Sequence, residues 1–414
     1  MLNKLPAGWQ QCCFEDVLDY EQPTKYIVKN TNYEDKGVAV LTAGKSFILG
    51  YTKETTGIFY GDKEPVIIFD DFTTSSKLVK FPFKVKSSAM KILHARDNIN
   101  IDFIYYLMQT ISYRNETHKR YWISEYAKQK LNLPPLEEQG RIVEKIEELF
   151  SDIDNGIKDL KTAQAQIKQY RQSVLKSAFE EKLYKTSEWK EVKLEDVCQI
   201  NPKTEIKDMK DDDIVSFLPM TSVKAECNYY TEENVLYSKV KKGYTKFKNG
   251  DVLFAKITPC MENGKVCIVD NLIQDIGFGS TEFHILRCLN NIIPKYVYYV
   301  VIQQCFRKKA KKNMVGAVGQ QRVPADFMKN FDILLPSLLE QQQIVAEIEK
   351  RFLVADELEK AVNEGLEKAD KLKQSILKKA FEGKLVPQDP NDEPASALLD
   401  RIKKEQKPTK GKKK

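Results

Sequence analysis

Three histidines in 414 residues leave little room for imidazole chemistry. A Ser/His/Asp site would have to use His94, His118 or His284, and none has a nucleophile elbow or a metal-ligand partner nearby in sequence. The eight cysteines, at 12, 13, 198, 227, 260, 267, 288 and 305, include no C-x-x-C pair, which excludes zinc-ribbon and thioredoxin patterns and reads as free thiols in a reducing cytoplasm. No apolar run is long enough to span a bilayer, and the opening MLNKLPAGWQQCCFED lacks the apolar core of a signal peptide, so a cytoplasmic protein without membrane contact is expected. LTAGKS at 41–46 falls short of a phosphate-binding loop, because the glycine required five residues before Gly44 is Ala39. GFG at 277–279 runs into Ser280-Thr281-Glu282 instead of a glycine-led helix, so it is no dinucleotide fingerprint. Acidic pairs such as Asp70-Asp71 and Asp211-Asp212-Asp213 read as turns and solvated loops. No catalytic or metal-binding constellation emerges.

What is present is an ordinary globular composition, 42% hydrophobic and 30% charged, in a chain long enough for two or three domains. The 66 Lys+Arg against 59 Asp+Glu give a formal charge of +7, compatible with a polyanionic partner. Part of that excess is the terminal KKEQKPTKGKKK, which reads as a solvated, disordered basic end.

The dominant feature is an internal repeat. LPPLEEQGRIVEKIEELF, 133–150, returns as LPSLLEQQQIVAEIEKRF at 335–352, and QSVLKSAFEEKL, 172–183, lies on QSILKKAFEGKL, 374–385, with the register kept throughout. Weaker correspondence precedes both copies: Trp9, Phe14, Glu15, Asp16 and Val17 align with Trp189, Leu194, Glu195, Asp196 and Val197, and FKVKSSAMKIL with IGFGSTEFHIL. Each repeat is written as a helix, opening on prolines with acidic residues in the first turn. Ile146, Phe150, Ile153, Ile157, Leu160, Ile167, Val174 and Ala178 follow a heptad seam with Gln164 and Arg171 as polar positions, and the second copy keeps Ile348, Phe352, Ala355, Val362, Leu366, Ala369, Ile376 and Ala380. A continuous helix from Leu136 to Leu183 would reach roughly 70 Å at about 1.5 Å per residue, with a bend possible at Gly140, Gly156 or Gly365. Two matching seams in one chain predict antiparallel intramolecular pairing and approximate twofold symmetry, a homo-oligomeric coiled coil being the alternative.

The segments between are mixed. KGVAVLTAGKSFILGYT, EPVIIFDDF and KLVKFPFKVKSSAMKIL predict strands followed by a helix at IDFIYYLMQTI; DIVSFLPM, DVLFAKITP, GKVCIVD and STEFHILRC predict strands followed by a helix at PKYVYYVVIQQCF. Fold class is α+β: two α/β domains, 1–132 and 186–334, two long helices, 133–185 and 335–386, pairing as an antiparallel coiled coil, and a basic tail, 387–414. Polar loops between strands supply the candidate binding residues. In the first domain these are Thr42, Lys45, Lys86, Ser87, Ser88, Lys119 and Arg120; in the second they are Lys256, Thr258, Asn263, Lys265, Ser280, Thr281, Gln320, Gln321 and Arg322. Asn and Gln suit adenine, Arg and Lys suit guanine, and Ser, Thr and Lys hold phosphates. Arg120 and Arg322 fall on the same repeat position.

ITPCMENGK, then GFGSTEFHIL, GQQRVP and LPSLLEQQQIVAEIE, together with LTAGKSFILGYT and PVIIFDDFTTSSKLVKFPFKVKSSAMKIL, resemble the specificity (S) subunit of type I restriction-modification enzymes over nearly the whole chain. Departures are local: Ser337 and Leu339 replace Pro135 and Glu137, and Gln342 replaces Gly140. The resemblance implies two target recognition domains, each reading half of a bipartite double-stranded DNA target, with the paired helices as spacer. It implies a subunit that performs no chemistry and binds no cofactor, docking two methyltransferase subunits and, in the full assembly, restriction subunits. S-adenosylmethionine, ATP and magnesium would belong to those partners. Two other readings compete with it: a coiled-coil scaffold whose variable domains bind proteins, and a free-standing nuclease or methyltransferase, for which the motifs are missing.

Overall fold

A computed structural model of the chain describes residues 5–42, 46–111, 120–180, 188–206, 208–228, 230–317 and 319–405. They form two compact units, Met1–Leu160 with Glu364–Lys414, and Lys161–Asn363, so the division cuts through both long helices. Each unit thus owns one sheet domain and a half of each helix, because seam residues pack on the sheet domain as well as on one another.

In the first unit a four-stranded antiparallel sheet runs in the order Leu18–Glu21, Met90–Ala95, Val66–Asp70, Ser76–Val79. A second sheet runs Ile48–Thr52, Val38–Leu41, Pro82–Val85, Phe59–Tyr60, with the middle pair parallel. Alternating apolar residues of both sheets, among them Leu41, Val66, Ile68, Phe83, Val85 and Ile92, close a core between them. Strand Gln10–Cys13 pairs antiparallel with Lys130–Leu133, which brings the start of the domain to the start of the helix that leaves it.

The second unit repeats this topology strand for strand. One sheet runs Cys198–Ile200, Phe283–Cys288, Val252–Ala255, Val266–Ile268, and the other Glu233–Leu236, Ile214–Leu218, Ile276–Gly279, Thr245–Lys248, again with a parallel middle pair. Lys190–Lys193 pairs with Asp332–Leu335 as its counterpart does. The expected strands and late helices (Ile101–Met108; Pro294–Ile302, followed by Gln304–Lys312) are present.

The long helices span Leu136–Phe179 and Leu338–Phe381 without a break, so none of the three glycines interrupts them. The second ends at Phe381, short of the expected 386, because Gly383 takes φ +67°, with its amide and that of Lys384 turned back onto the Ala380 and Lys379 carbonyls. The helices pair antiparallel. In the first unit Lys373 reaches Asp154 at 2.6 Å and lies over the Phe150 ring; in the second Arg171 reaches Asp356 at 2.6 Å and lies over Phe352. These are the same repeat positions used twice, and Gln164 meets Asn363 as a polar seam contact.

The shared helix opening has a buried purpose. Glu138, Gln139, Glu340 and Gln341 are only 0–2% exposed. Glu138 accepts the Trp9 indole N–H at 3.0 Å and Glu340 that of Trp189 at 3.4 Å. Gln139 accepts from the Asn100 amide and donates to the Pro134 carbonyl, both at 3.0 Å. Gln341 accepts from the Ile293 amide and donates to the Asn291 and Pro336 carbonyls, all at 3.0 Å. One Glu-Gln pair therefore ties the domain's first strand, the lead into its late helix and the long helix together. Burial raises the Glu138 carboxyl above its ordinary range.

The stretch 387–414, expected to be a basic tail, holds a helix at Ala395–Glu405. Its Ala395, Leu398, Leu399 and Ile402 enter the first unit's core, and Arg141 anchors Asp392 at 2.6 Å. Lysine-rich composition hid a helix with one apolar face. Residues 406–414 lie outside the described residues.

Candidate nucleic-acid interface

In the second unit the fold gathers the three loops that carry the candidate residues. Strand Val252–Ala255 delivers Lys256, whose amide donates to the Glu282 carbonyl and whose carbonyl accepts from Val323. Thr258 donates from its amide and hydroxyl to the Gln321 carbonyl at 3.0 and 3.3 Å. Arg322 in turn bridges both Ile257 and Val315. Ser280, following Ile276–Gly279, bonds the Leu218 carbonyl through its amide, and its hydroxyl caps the Glu282 amide at 3.2 Å. Buried His284 donates from Nε2 to the Val323 carbonyl at 2.8 Å and accepts at Nδ1 from Asn201 at 3.0 Å. Burial lowers its pKa below the ordinary imidazole value.

Thr281 and Gln320 are exposed at this edge, with Lys256, Ser280, Gln321 and Arg322 half-buried. Arg322 is not a free cation: Nε and Nη2 clasp Glu282 at 2.9 and 2.7 Å, and Nη1 donates to the Gln320 carbonyl at 2.9 Å. Its hydrogen bonds lower the Glu282 carboxyl below the usual carboxylate range. Asn263 is exposed on the same connection, whereas Lys265 turns its ammonium inward to the Met220 carbonyl at 2.8 Å and serves the fold. A groove of about 530 Å³ opens beside Lys256 and Thr281, walled by Asn201, Lys203, Tyr244 and Lys246.

The same scaffold stands in the first unit. Lys86 donates to the Leu41 carbonyl, which places it beside Thr42; Asp71 donates to the Ala89 carbonyl, and Tyr121 to the Asp71 carbonyl. Thr42 is half-buried and Lys86, Ser87, Ser88 and Arg120 are exposed. Candidates Lys45 and Lys119 lie outside the described residues. Matching hydrogen bonds equate Asp71 with Lys256, Ala89 with Glu282, Lys91 with His284 and Arg120 with Arg322. Where the second unit holds half-buried Lys256 and buried His284, the first buries an Asp71–Lys91 ion pair at 3.4 Å.

Sequence reading missed Lys203, Tyr244, Lys246 and Glu282, since strand order alone brings 201–205 and 244–246 to this edge. It also missed helix Gln304–Lys312, whose Phe306, Arg307 and Ala310 face inward while Lys308, Lys309, Lys311 and Lys312 are exposed. Lys311 pairs with Glu262 and Lys309 lies over Phe331; the available signal is the run RKKAKK, 307–312, directly after the expected helix. Among the described residues, no grouping of three or more His, Cys, Asp or Glu side chains could hold a metal ion, and no helix is long and apolar enough to cross a membrane.

Two sheet domains of one topology, each assembling polar side chains from separate loops at a single edge, define a duplicated ligand-reading scaffold. The family model of the type I restriction modification DNA specificity domain matches residues 6–162 and again 186–368, so the chain belongs to that family. The type I restriction enzyme EcoR124I/EcoR124II specificity subunit of Escherichia coli is 32% identical over 391 residues, covering 87% of this chain and 89% of that one. The Escherichia coli EcoAI specificity subunit is 35% identical over 260 residues, covering 52% of this chain and less than half, 44%, of its own length. A chain from a solved structure concerned with assembly and conformational transition of a type I R-M system shares the fold, with a TM-score of 0.69 at 20% identity over 92% of this chain and all of that one.

Proposed function

We propose that this chain is the DNA-reading subunit of a type I restriction-modification system, each sheet domain reading one half of a bipartite duplex target and the long helices setting the spacer. The observation that carries it is the convergence, at one edge of a domain with the specificity-family fold, of Lys256, Thr258, Ser280, Thr281, Gln320, Gln321 and Arg322 from three separate loops. Their chemistry matches what duplex DNA offers: amides and guanidinium for base edges, hydroxyls and ammonium groups for phosphates. Lys308 and Lys312 extend the positive surface on the helix that leads into the Gln320–Arg322 loop. Thr42, Lys86, Ser87, Ser88 and Arg120 serve the first half-site.

Methylation and cleavage are performed by partner subunits: two methyltransferase chains using S-adenosylmethionine, and restriction chains using ATP and magnesium, in the cytoplasm. The test is methylome sequencing of the source cells before and after deletion of the gene. Loss of a single bipartite methylated motif is expected; an unchanged methylome refutes the proposal.

A further inference from the structure

Glu282 is out of place in a basic, phosphate-facing edge. Its carboxylate holds three contacts from Arg322 at 2.7, 2.9 and 3.1 Å, cancelling much of the charge that a phosphate contact would use. What the clasp supplies is orientation. A guanidinium has five N–H groups; Glu282 takes the Nε hydrogen and one on Nη2, and the Gln320 carbonyl takes one on Nη1. One N–H remains on each of the two terminal nitrogens, the pair needed to meet two adjacent acceptors. Arg322's side chain is 43% exposed, so that edge can reach a ligand. On duplex DNA, two acceptors side by side at that spacing are guanine O6 and N7 in the major groove. A fork fixed on both flanks loses less side-chain entropy on meeting them than a freely rotating one.

The first unit provides the contrast. Its equivalent arginine, Arg120, stands on the same hydrogen-bonded scaffold, but the residue in the place of Glu282 is Ala89, which has no carboxylate to offer. One framework therefore presents a braced arginine in one domain and an arginine without that brace in the other. Such a difference is expected of two domains that read different bases.

We infer that Glu282 is a positioning residue that aims Arg322 at a guanine, so that the half-site read by the second domain contains a G·C pair selected by this arginine. The inference rests on the DNA-reading function proposed above.

The experiment uses the full chain and duplexes carrying the motif found by methylome sequencing, with each guanine replaced in turn by 7-deazaguanine, which lacks N7. Wild-type protein should lose about tenfold or more in affinity at one guanine in particular. In Arg322→Ala that penalty should vanish while penalties elsewhere persist. Glu282→Gln, checked for folding by its melting profile, should bind scrambled duplex at least as well as wild type yet lose the same 7-deazaguanine penalty. If no guanine shows a penalty that Arg322→Ala abolishes, Arg322 does not read a guanine and the inference falls; if Glu282→Gln keeps the penalty intact, Glu282 does not aim Arg322 and the inference falls as well. A wild-type chain that does not distinguish the target from scrambled duplex would instead refute the DNA-reading proposal itself.

Discussion

Replacing Gln341 by alanine tests whether the helix opening locks the domain to its helix. The side chain is fully buried and satisfies three backbone groups: the Ile293 amide and the Asn291 and Pro336 carbonyls. Truncation removes all three bonds and strands the Pro336 carbonyl away from water, while the half-buried Ile293 amide and the carbonyl of exposed Asn291 are less completely cut off. An unsatisfied buried group costs about 1–3 kcal/mol, with carbonyls toward the lower end, so the loss should be about 2–4 kcal/mol. For a unit of this size, with a urea slope of about 2–3 kcal/mol per molar, the midpoint should fall by about 1–2 M. Gln139→Ala removes two bonds, so its effect should be smaller. Urea unfolding followed by circular dichroism gives the midpoint, and hydrogen exchange of the peptide containing Ile293 localises the change. A midpoint shift below about 0.3 M for Gln341→Ala, or a larger loss for Gln139→Ala, would refute the reasoning.

The helix glycines should separate by their surroundings: Gly156→Ala meets nothing within 4 Å and should gain about 0.5–1 kcal/mol in thermal unfolding, whereas a methyl at Gly365 would lie 3.1 Å from Leu160 Cδ1 and should gain less or nothing. Replacing Lys308 and Lys312 together by glutamine should lower the salt slope of DNA binding by up to about 2, at about 0.9 per phosphate, without changing preference among sequences; an unchanged slope would remove this helix from the interface. His284 is held neutral by burial, so the unfolded chain takes up the proton first on acidification. Its contribution is complete above the ordinary imidazole range and drains away as pH falls toward the folded value. Unfolding midpoints of the second unit should therefore drop between about pH 7 and pH 5, with a flatter profile in His284→Gln.

The long helices were legible because a heptad seam is a local pattern, and a register kept across two copies is not accidental. The strands of the sheet domains were legible as apolar runs, and the weak alignments around Trp9 and FKVKSSAMKIL coincide with equivalent strands. The C-terminal helix was not, because its four apolar positions are scattered among lysines and gain meaning only against the core that they enter. Glu138 reads from sequence as a favourable first-turn acid; its role as acceptor for Trp9, 129 residues away, exists only once the first strand returns to the helix.

Sequence by itself determined the duplication, the paired helices and which loops carry polar side chains, since these rest on periodicity and residue type. Tertiary structure alone decided which of those loops meet. Arg322 and Glu282 are 40 residues apart, and no spacing rule marks Glu282 as the brace on Arg322 or Ala89 as its missing counterpart. Hydrogen bonds between strands distant in sequence set that pairing, and through it the direction in which the arginine points.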